Sequence, residues 1–147
     1  MSAPQHHPLA RAELIVITCG SRKLEHRAPA GELFIGAYHR ACRRAADALE
    51  PERLLILSSA HGLLETDEVI DPYDTAFGAT GSVGPERLAA QAHEAGLIEL
   101  DPVVVLAGRR HYELIKTVWP HAICPLTGLG GMGHQIAYLN ALAKHAD

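Results

Sequence analysis

The stretch ELIVITCGSRK, residues 13–23, decides the fold. It begins as a continuous apolar run rich in β-branched residues, which is typical of a strand buried on both faces of a sheet. It ends in a glycine, a hydroxyl and a lysine. Ligands of open α/β sheets bind outside the carboxyl ends of the strands. The stretch therefore predicts a buried parallel strand and a binding site directly after it.

Further apolar runs and helical patterns alternate along the rest of the chain. The further runs are RLLILSSA (53–60), PVVVLAG (102–108) and the weaker HAICPL (121–126). Helical patterns cover 30–50, 84–99, 110–119 and 133–146. The order β-α-β-α-β-α-β-α predicts an α/β fold, a single Rossmann-like domain. Its mainly parallel sheet has four or five strands, with helices on both faces.

The length of 147 residues suits one domain, which we place at residues 12–147 after a flexible N-terminal arm at 1–11. The arm lacks an apolar signal region, no run is long enough to cross a membrane, and the three cysteines form no disulfide pattern. We therefore expect a cytoplasmic protein with no membrane partner. The net charge of −4 argues against broad phosphate contacts, so nucleic acid remains possible only through a local patch.

Polar residues follow the first two strands. Gly20 permits a close backbone approach, and the Ser21 hydroxyl and Lys23 are suited to an anion beside Cys19. After the second strand, Ser59 and His61 suit substrate contact, with His61 also a candidate proton carrier. The alternative for both clusters is a plain strand-ending turn, with the serines bonded to the backbone.

The connection from Ala60 to Gly84 is unusually long, and long connections tend to be functional. It contains Asp71, Tyr73 and Asp74 in one short segment. Carboxylates on a loop above a sheet are candidate general bases or nucleophiles. The alternative is a capped surface turn at Pro72.

The third strand and the last helix supply two more clusters. Gly108 allows a turn, Arg109 is suited to clamp a phosphate or carboxylate, and Tyr112 to stack on a ring or pack on the sheet. A glycine-rich loop that leads into a helix N-terminus is suited to an anion. The candidate residues there are Gly130, Gly131, Gly133, His134 and Gln135.

The combination of CGSRK, APAGELFIGAYHRAC, ILSSAHGLL, VIDPYD, LAGRRHY and PLTGLGGMGHQIAYLN resembles a widespread bacterial and phage domain of unknown function. That domain is grouped with the peroxide-stress proteins of the YaaA type. The resemblance spans residues 13–142. It implies a Rossmann-like domain with its motifs gathered at one end, and a connection with nucleotide or nucleic-acid metabolism.

Two functions remain open. The first is an enzyme acting on a nucleotide, nucleoside or other phosphorylated small molecule, by N-glycosidic bond hydrolysis or transfer, with Asp71, Asp74 and His61 as catalytic candidates. It requires no cofactor, and no metal-ligand spacing is present. We expect one cleft to be lined by Cys19, His61, Asp71, Tyr73, Arg109 and Gly131.

The alternative is a non-catalytic nucleic-acid-binding protein of a stress or DNA-damage response. A basic stripe on one predicted helix would serve it. The stripe consists of Arg40, Arg43 and Arg44, extended by Arg22, Lys23 and Arg27. The oligomeric state is not predicted.

Overall fold

A four-stranded sheet forms the centre of the protein. The computed structural model describes residues 7–145. Its strands are β1 Leu14–Thr18, β3 Leu54–Ser58, β4 Gly62–Glu65 and β6 Val103–Leu106. Their order in the sheet is β4-β3-β1-β6, in which β1 pairs in parallel with both β3 and β6. The predicted α/β class with a mostly parallel sheet is confirmed.

The fourth strand differs from the prediction. β4 lies within the connection that follows Ala60 and pairs with β3 in an antiparallel hairpin. Gly62 begins β4 with φ +73, a left-handed backbone conformation that residues with a side chain rarely adopt. This conformation lets the chain reverse its direction between β3 and β4. The run HAICPL instead makes only an isolated bridge, from Ile123 to Val104. Ile123 remains 49% exposed, so this run lacks the burial of a central strand.

The helices lie close to the predicted positions, with one interruption. The helical pattern over 30–50 divides into two helices at Phe34. Phe34 is buried, has an extended backbone and forms an antiparallel bridge with Lys23, and an extended residue cannot continue a helix. A short two-stranded sheet of β2 (Ala28–Pro29) and β5 (Val69–Ile70) lies beside this break. The helices are α1 Ala30–Leu33, α2 Ala37–Leu49, α3 Pro85–Glu94, α4 Arg109–Lys116 and α5 Met132–His145.

Successive residues of β1 belong to two different apolar clusters, as expected of side chains that alternate across a strand. Ile15 and Ile17 pack with residues of α2 and α5. Leu14 and Val16 pack with residues of α3 and α4 and with the fully buried Trp119. All five strand residues are buried, which explains the continuous apolar run in the sequence.

The chain ends bear on two predictions. Residues 1–6 of the predicted arm and 146–147 lie outside the described residues. Within 7–11, Leu9 packs against the first apolar cluster and the Arg11 N–H donates to the Leu49 carbonyl at 2.9 Å. From residue 7 to residue 145, every helix is too short or too polar to cross a bilayer.

Candidate functional site

The carboxyl ends of β1, β3 and β6 meet at one edge of the sheet, because the three strands are parallel neighbours. A cavity of about 410 Å³ opens there. β1 has β3 on one side and β6 on the other, so the cavity lies where the strand order reverses, the usual place for a ligand in such sheets. Its lining is Cys19, Gly20, Ser21, Lys23, Ser59, Asp74, Thr75, Ala76, Phe77 and His111. We call it the strand-end cavity.

The turn after β1 carries the only ammonium group in this lining. Gly20 has φ +78, so the chain turns sharply after Cys19. Lys23 then folds back, and its Nζ donates to the Ser21 carbonyl at 3.1 Å. Its Nζ also lies 4.4 Å from the centre of the Tyr73 ring. A cation–π contact of this kind holds the charge at the cavity while leaving N–H donors for an anion.

Residues 71–83, which we call the cover loop, are tied to the strand ends. Tyr73 Oη and Ser58 Oγ lie 2.5 Å apart in a hydrogen bond. The Ser59 hydroxyl donates to the Thr75 carbonyl at 2.5 Å. Arg110 of α4 donates to the Phe77 carbonyl at 2.9 Å. These bonds place Asp74 and Phe77 in the wall of the strand-end cavity.

His111 and Phe77 are cavity residues to which the sequence analysis assigned no role. His111 Nε2 is hydrogen-bonded to Thr18 Oγ1 at 3.0 Å and lies 3.9 Å from Cys19 Sγ. Its ring meets the edge of Phe77 at a centroid distance of 4.4 Å. The motif AGRRHY begins directly after β6, and His111 is its fifth residue, in the first turn of α4. The location of this motif at a strand end was the available signal. Its contact with Thr18 joins residues 93 apart in sequence, which no local pattern encodes.

Three titratable groups around the cavity are uncharged at neutral pH. Burial raises the pKa of the Cys19 thiol, and the Ser59 backbone and Lys23 oppose this only in part. Burial, with a contribution from Cys19, raises the pKa of Tyr73 to about 12. Burial, with a smaller contribution from Arg110, lowers the pKa of His111 to about 4. The charges in the lining are therefore those of Lys23 and Asp74.

Two of the three predicted catalytic residues, His61 and Asp71, lie outside the lining of the strand-end cavity. The His61 ring packs edge-on to the Tyr73 ring at a centroid distance of 5.2 Å. The backbone N–H of His61 donates to Ser58 Oγ at 3.1 Å. The Asp71 side chain is 73% exposed and lies 3.8 Å from Arg27. Only the third candidate, Asp74, is among the lining residues of the strand-end cavity.

A second cavity of about 440 Å³ lies between α4 and the glycine-rich loop before α5. The predicted site residues that line this cavity are Gly108, Arg109, Tyr112, Gly130 and Gln135. The six residues expected to line one cleft are therefore divided. Cys19 lines the strand-end cavity and Arg109 lines this one. The strand-end rule placed both residues at one edge of the sheet but did not determine which residues share a cavity.

Several side chains around the second cavity are already engaged within the protein. Arg109 pairs with Glu113 at 3.1 Å, and the Tyr112 hydroxyl donates to the Ala122 carbonyl at 3.0 Å. Gln135 accepts a hydrogen bond from Tyr38 and donates to the Gly130 carbonyl at 3.0 Å. The remaining predicted residues of this loop and helix start, all exposed, are Gly131, Gly133 and His134.

No metal-binding arrangement is found in the part of the chain that the structure describes. Within residues 7–145, no three His, Cys, Asp or Glu side chains gather closely enough to hold an ion.

Comparisons with known proteins bring a family but no reaction. The model of a family of unknown function (DUF6884) matches residues 14–141. The chain is also similar to the uncharacterized protein YfjM of Bacillus subtilis (strain 168), with 30% identity over 140 residues. That alignment covers 86% of this chain and 92% of YfjM. No solved structure matches the chain. The segment matched by the family model contains the complete lining of both cavities.

Proposed function

The chain belongs to the family of unknown function (DUF6884), and we propose that it is an enzyme that acts at the N-glycosidic bond of a nucleoside or nucleotide. The reaction is hydrolysis or transfer, and the support for this proposal lies in the residues of this chain, because the family brings no known reaction. The observation that carries this proposal is the lining of the strand-end cavity. One ammonium, one carboxylate and one aromatic ring, from Lys23, Asp74 and Phe77, line a single space of about 410 Å³. That volume lies within the usual range for small-molecule sites.

Each of these three groups matches one part of a nucleotide. The Lys23 ammonium, next to the Ser21 turn, suits the phosphate. Phe77 offers a ring on which a base stacks. Asp74 then lies on the same cavity wall as Phe77, where it suits the sugar that joins base and phosphate. The uncharged Cys19 and His111 add hydrogen-bonding groups to the lining without a competing charge.

The proposed reaction uses Asp74 as the catalytic carboxylate. As the bond between the anomeric carbon and the base nitrogen breaks, its electron pair leaves with the base and positive charge develops on the sugar. The Asp74 carboxylate stabilises this oxocarbenium-like centre. In hydrolysis, water adds to the anomeric carbon and gives up one proton, which is taken by the departing base. In transfer, a second acceptor takes the place of water.

Finer aspects of the fold belong to the same proposal. We propose a Rossmann-like topology with helices on both faces of the sheet. The support is the division of β1 side chains between one apolar cluster with α2 and α5 and another with α3 and α4. The grouping with YaaA-type proteins also stays a prediction that rests on the sequence motifs.

A comparison of Asp74→Asn with Asp71→Asn tests the proposed reaction. The protein is incubated with the common nucleoside 5′-monophosphates and the matching nucleosides, and released base is measured by chromatography. Both carboxylates are exposed, so both variants should keep the wild-type melting temperature. Asp74→Asn should lose turnover by about 100-fold or more while still binding nucleotide.

Asp71→Asn is the matched control, because Asp71 lies on the same loop but pairs with Arg27. Its turnover should stay within about threefold of wild type, since an exposed ion pair contributes little. Loss of turnover in Asp71→Asn alone would mean that the catalytic carboxylate has been assigned to the wrong residue. Absence of base release from every compound by the wild-type protein would contradict the proposed reaction.

A further inference from the structure

A third cavity, of about 450 Å³, is lined in part by residues of α2 and shares no lining residue with the strand-end cavity. Its apolar lining comes from Leu24, Phe34 and Ile35. Its polar lining comes from His39 and three arginines, with Glu32 as the only acidic residue among the lining side chains. We call it the His39 cavity.

His39 has one ring nitrogen bonded and the other without a partner. The residue is only 2% exposed, and its Nδ1 lies 2.6 Å from the Thr18 carbonyl oxygen. A carbonyl can only accept, so Nδ1 carries the proton and Nε2 of the neutral ring is an acceptor. Nε2 is buried and has no hydrogen-bond partner within the described part of the chain. An unsatisfied buried acceptor is costly, and a donor from a ligand would remove that cost.

The charge state of His39 follows from its surroundings. Burial lowers the pKa of His39; the bond to the Thr18 carbonyl opposes this, and Arg43 and Arg40 lower it further. The ring is therefore neutral at neutral pH, and Nε2 calls for a donor such as a hydroxyl group rather than for an anion.

The arginines beside His39 call for an anion. Arg43 and Arg44 follow Arg40 by about one helical turn on α2, and all three arginines line the cavity. Arg43 uses Nε for Asp47 at 3.3 Å, and Arg44 donates to Asn140 at 2.7 Å. The Arg40 backbone N–H donates to the Gly36 carbonyl at 3.0 Å, but the Arg40 side chain forms neither a hydrogen bond nor an ion pair with any residue between 7 and 145. A guanidinium has five N–H donors, so Arg43 retains free donors beside those of Arg40.

We infer that the His39 cavity is a second ligand site that takes a small sugar phosphate, with the phosphate on Arg40 and Arg43 and a sugar hydroxyl donating to His39 Nε2. A sugar phosphate carries both groups that the cavity can bind, an anion for the free arginine donors and a hydroxyl donor for the unpartnered His39 Nε2. The site is independent of the reaction proposed for the strand-end cavity. Thr18 connects the two cavities, because it bonds His39 by its carbonyl and His111 by its hydroxyl, and the backbone bridge between Phe34 and Lys23 is a second connection.

Binding of ribose 5-phosphate, measured by calorimetry on the full chain, tests this site. Inorganic phosphate and ribose serve as partial ligands, and a single-stranded DNA oligonucleotide tests for a nucleic-acid surface instead. Ribose 5-phosphate should bind more tightly than either partial ligand. Arg40→Ala should weaken it by about tenfold, the usual effect of losing a charge-assisted hydrogen bond.

His39→Asn separates the hydroxyl contact from the support that His39 gives to the fold. Asparagine can keep an N–H donor for the Thr18 carbonyl, as Nδ1 does, but it lacks Nε2. This variant should bind ribose 5-phosphate about fivefold more weakly and inorganic phosphate unchanged. If it does not fold, Arg40→Ala and the three wild-type ligands still decide the matter.

Two control variants locate the binding. Arg53→Ala removes an exposed arginine that pairs with Glu65 on the sheet, and Lys23→Ala alters the strand-end cavity. Neither should change the affinity for ribose 5-phosphate at the His39 cavity. Loss of binding in Lys23→Ala, or affinity that Arg40→Ala leaves unchanged, would overturn the inference. So would arginine-dependent binding of DNA in the absence of sugar phosphate binding.

Discussion

Single residues at the end of β1 connect elements that lie far apart in the sequence. Thr18 accepts a hydrogen bond from His39 of α2 through its carbonyl and bonds His111 of α4 through its hydroxyl. Both histidines are held in their neutral form by burial, which lowers their pKa values. The protonation of these two rings therefore links acid conditions to the stability of the molecule.

His111→Gln tests this link. The pKa of His111 falls from its ordinary 6.5 to about 4 in the folded protein. The unfolded chain thus binds the proton more readily, so the stabilisation is complete above about pH 6.5 and is lost as the pH falls towards 4. The difference corresponds to about 3 kcal/mol at most. Glutamine can still reach Thr18 but does not titrate.

Denaturant unfolding of wild type and His111→Gln at pH 7 and pH 4 supplies the measurement. The variant should lose less free energy of unfolding across this range than the wild type does. It should retain some pH dependence, because His39 titrates in the same direction. His93→Gln, which changes an exposed histidine of α3, should behave as the wild type. Equal losses in all three proteins would exclude His111 as a source of acid sensitivity.

At the scale of elements, the cover loop depends on bonds to the strand ends and to α4 rather than on a structure of its own. Ser59 and Arg110 hold the carbonyls of Thr75 and Phe77. The loop itself is largely exposed, with Tyr73 and Phe77 as its partly buried aromatic anchors. Elements with few buried contacts open at low free-energy cost, so we expect these bonds to limit local opening of the cover loop.

Arg110→Ala should loosen the cover loop without unfolding the domain. The change removes the bond to the Phe77 carbonyl, and hydrogen exchange of the amides at 76–82 should rise by about fivefold. Arg109→Ala is the matched control, because within residues 7–145 the neighbouring Arg109 side chain pairs with Glu113 of its own helix and not with the cover loop. Hydrogen exchange measured by mass spectrometry distinguishes the two variants. Equal exchange in both would show that Arg110 does not hold the loop.

At the scale of the whole molecule, the two apolar clusters share one sheet. β1, β3 and β6 contribute alternate residues to both clusters, so neither cluster can lose its packing without exposing the strands to water on one face. The predicted single domain over 12–147 should therefore unfold as one cooperative unit.

Trp119 makes this prediction measurable, because it is the single tryptophan of the sequence and is fully buried in the second cluster. Its indole N–H donates to the Leu97 carbonyl at 3.0 Å. Tryptophan fluorescence should report the second cluster, whereas far-ultraviolet circular dichroism reports all helices together. The two urea transitions should have the same midpoint and slope. Separate midpoints would indicate that the two faces of the sheet unfold independently.

The sequence by itself determined the elements whose pattern is local. A strand buried on both faces needs apolar side chains at every position, so β1, β3 and β6 were visible as continuous runs. The helical patterns over 84–99 and 110–119 likewise predicted the beginnings of α3 and α4 to within one residue. Because parallel strands end at one edge, the polar residues after them, from Cys19 to Lys23 and at Ser59, could be assigned to a common site before any contact was known.

Only the tertiary structure decided which of these residues meet. The hairpin that adds β4, the break in the helical pattern at Phe34 and the division between two cavities depend on pairings across the chain. The contacts of His111 and His39 with Thr18 join residues 93 and 21 positions apart. Periodicity reports which face of an element is buried, but the partner on that face is set by how the elements pack. For that reason the sequence predicted the edge of the sheet at which the polar residues and the strand-end cavity lie, and packing alone determined the shape of each cavity.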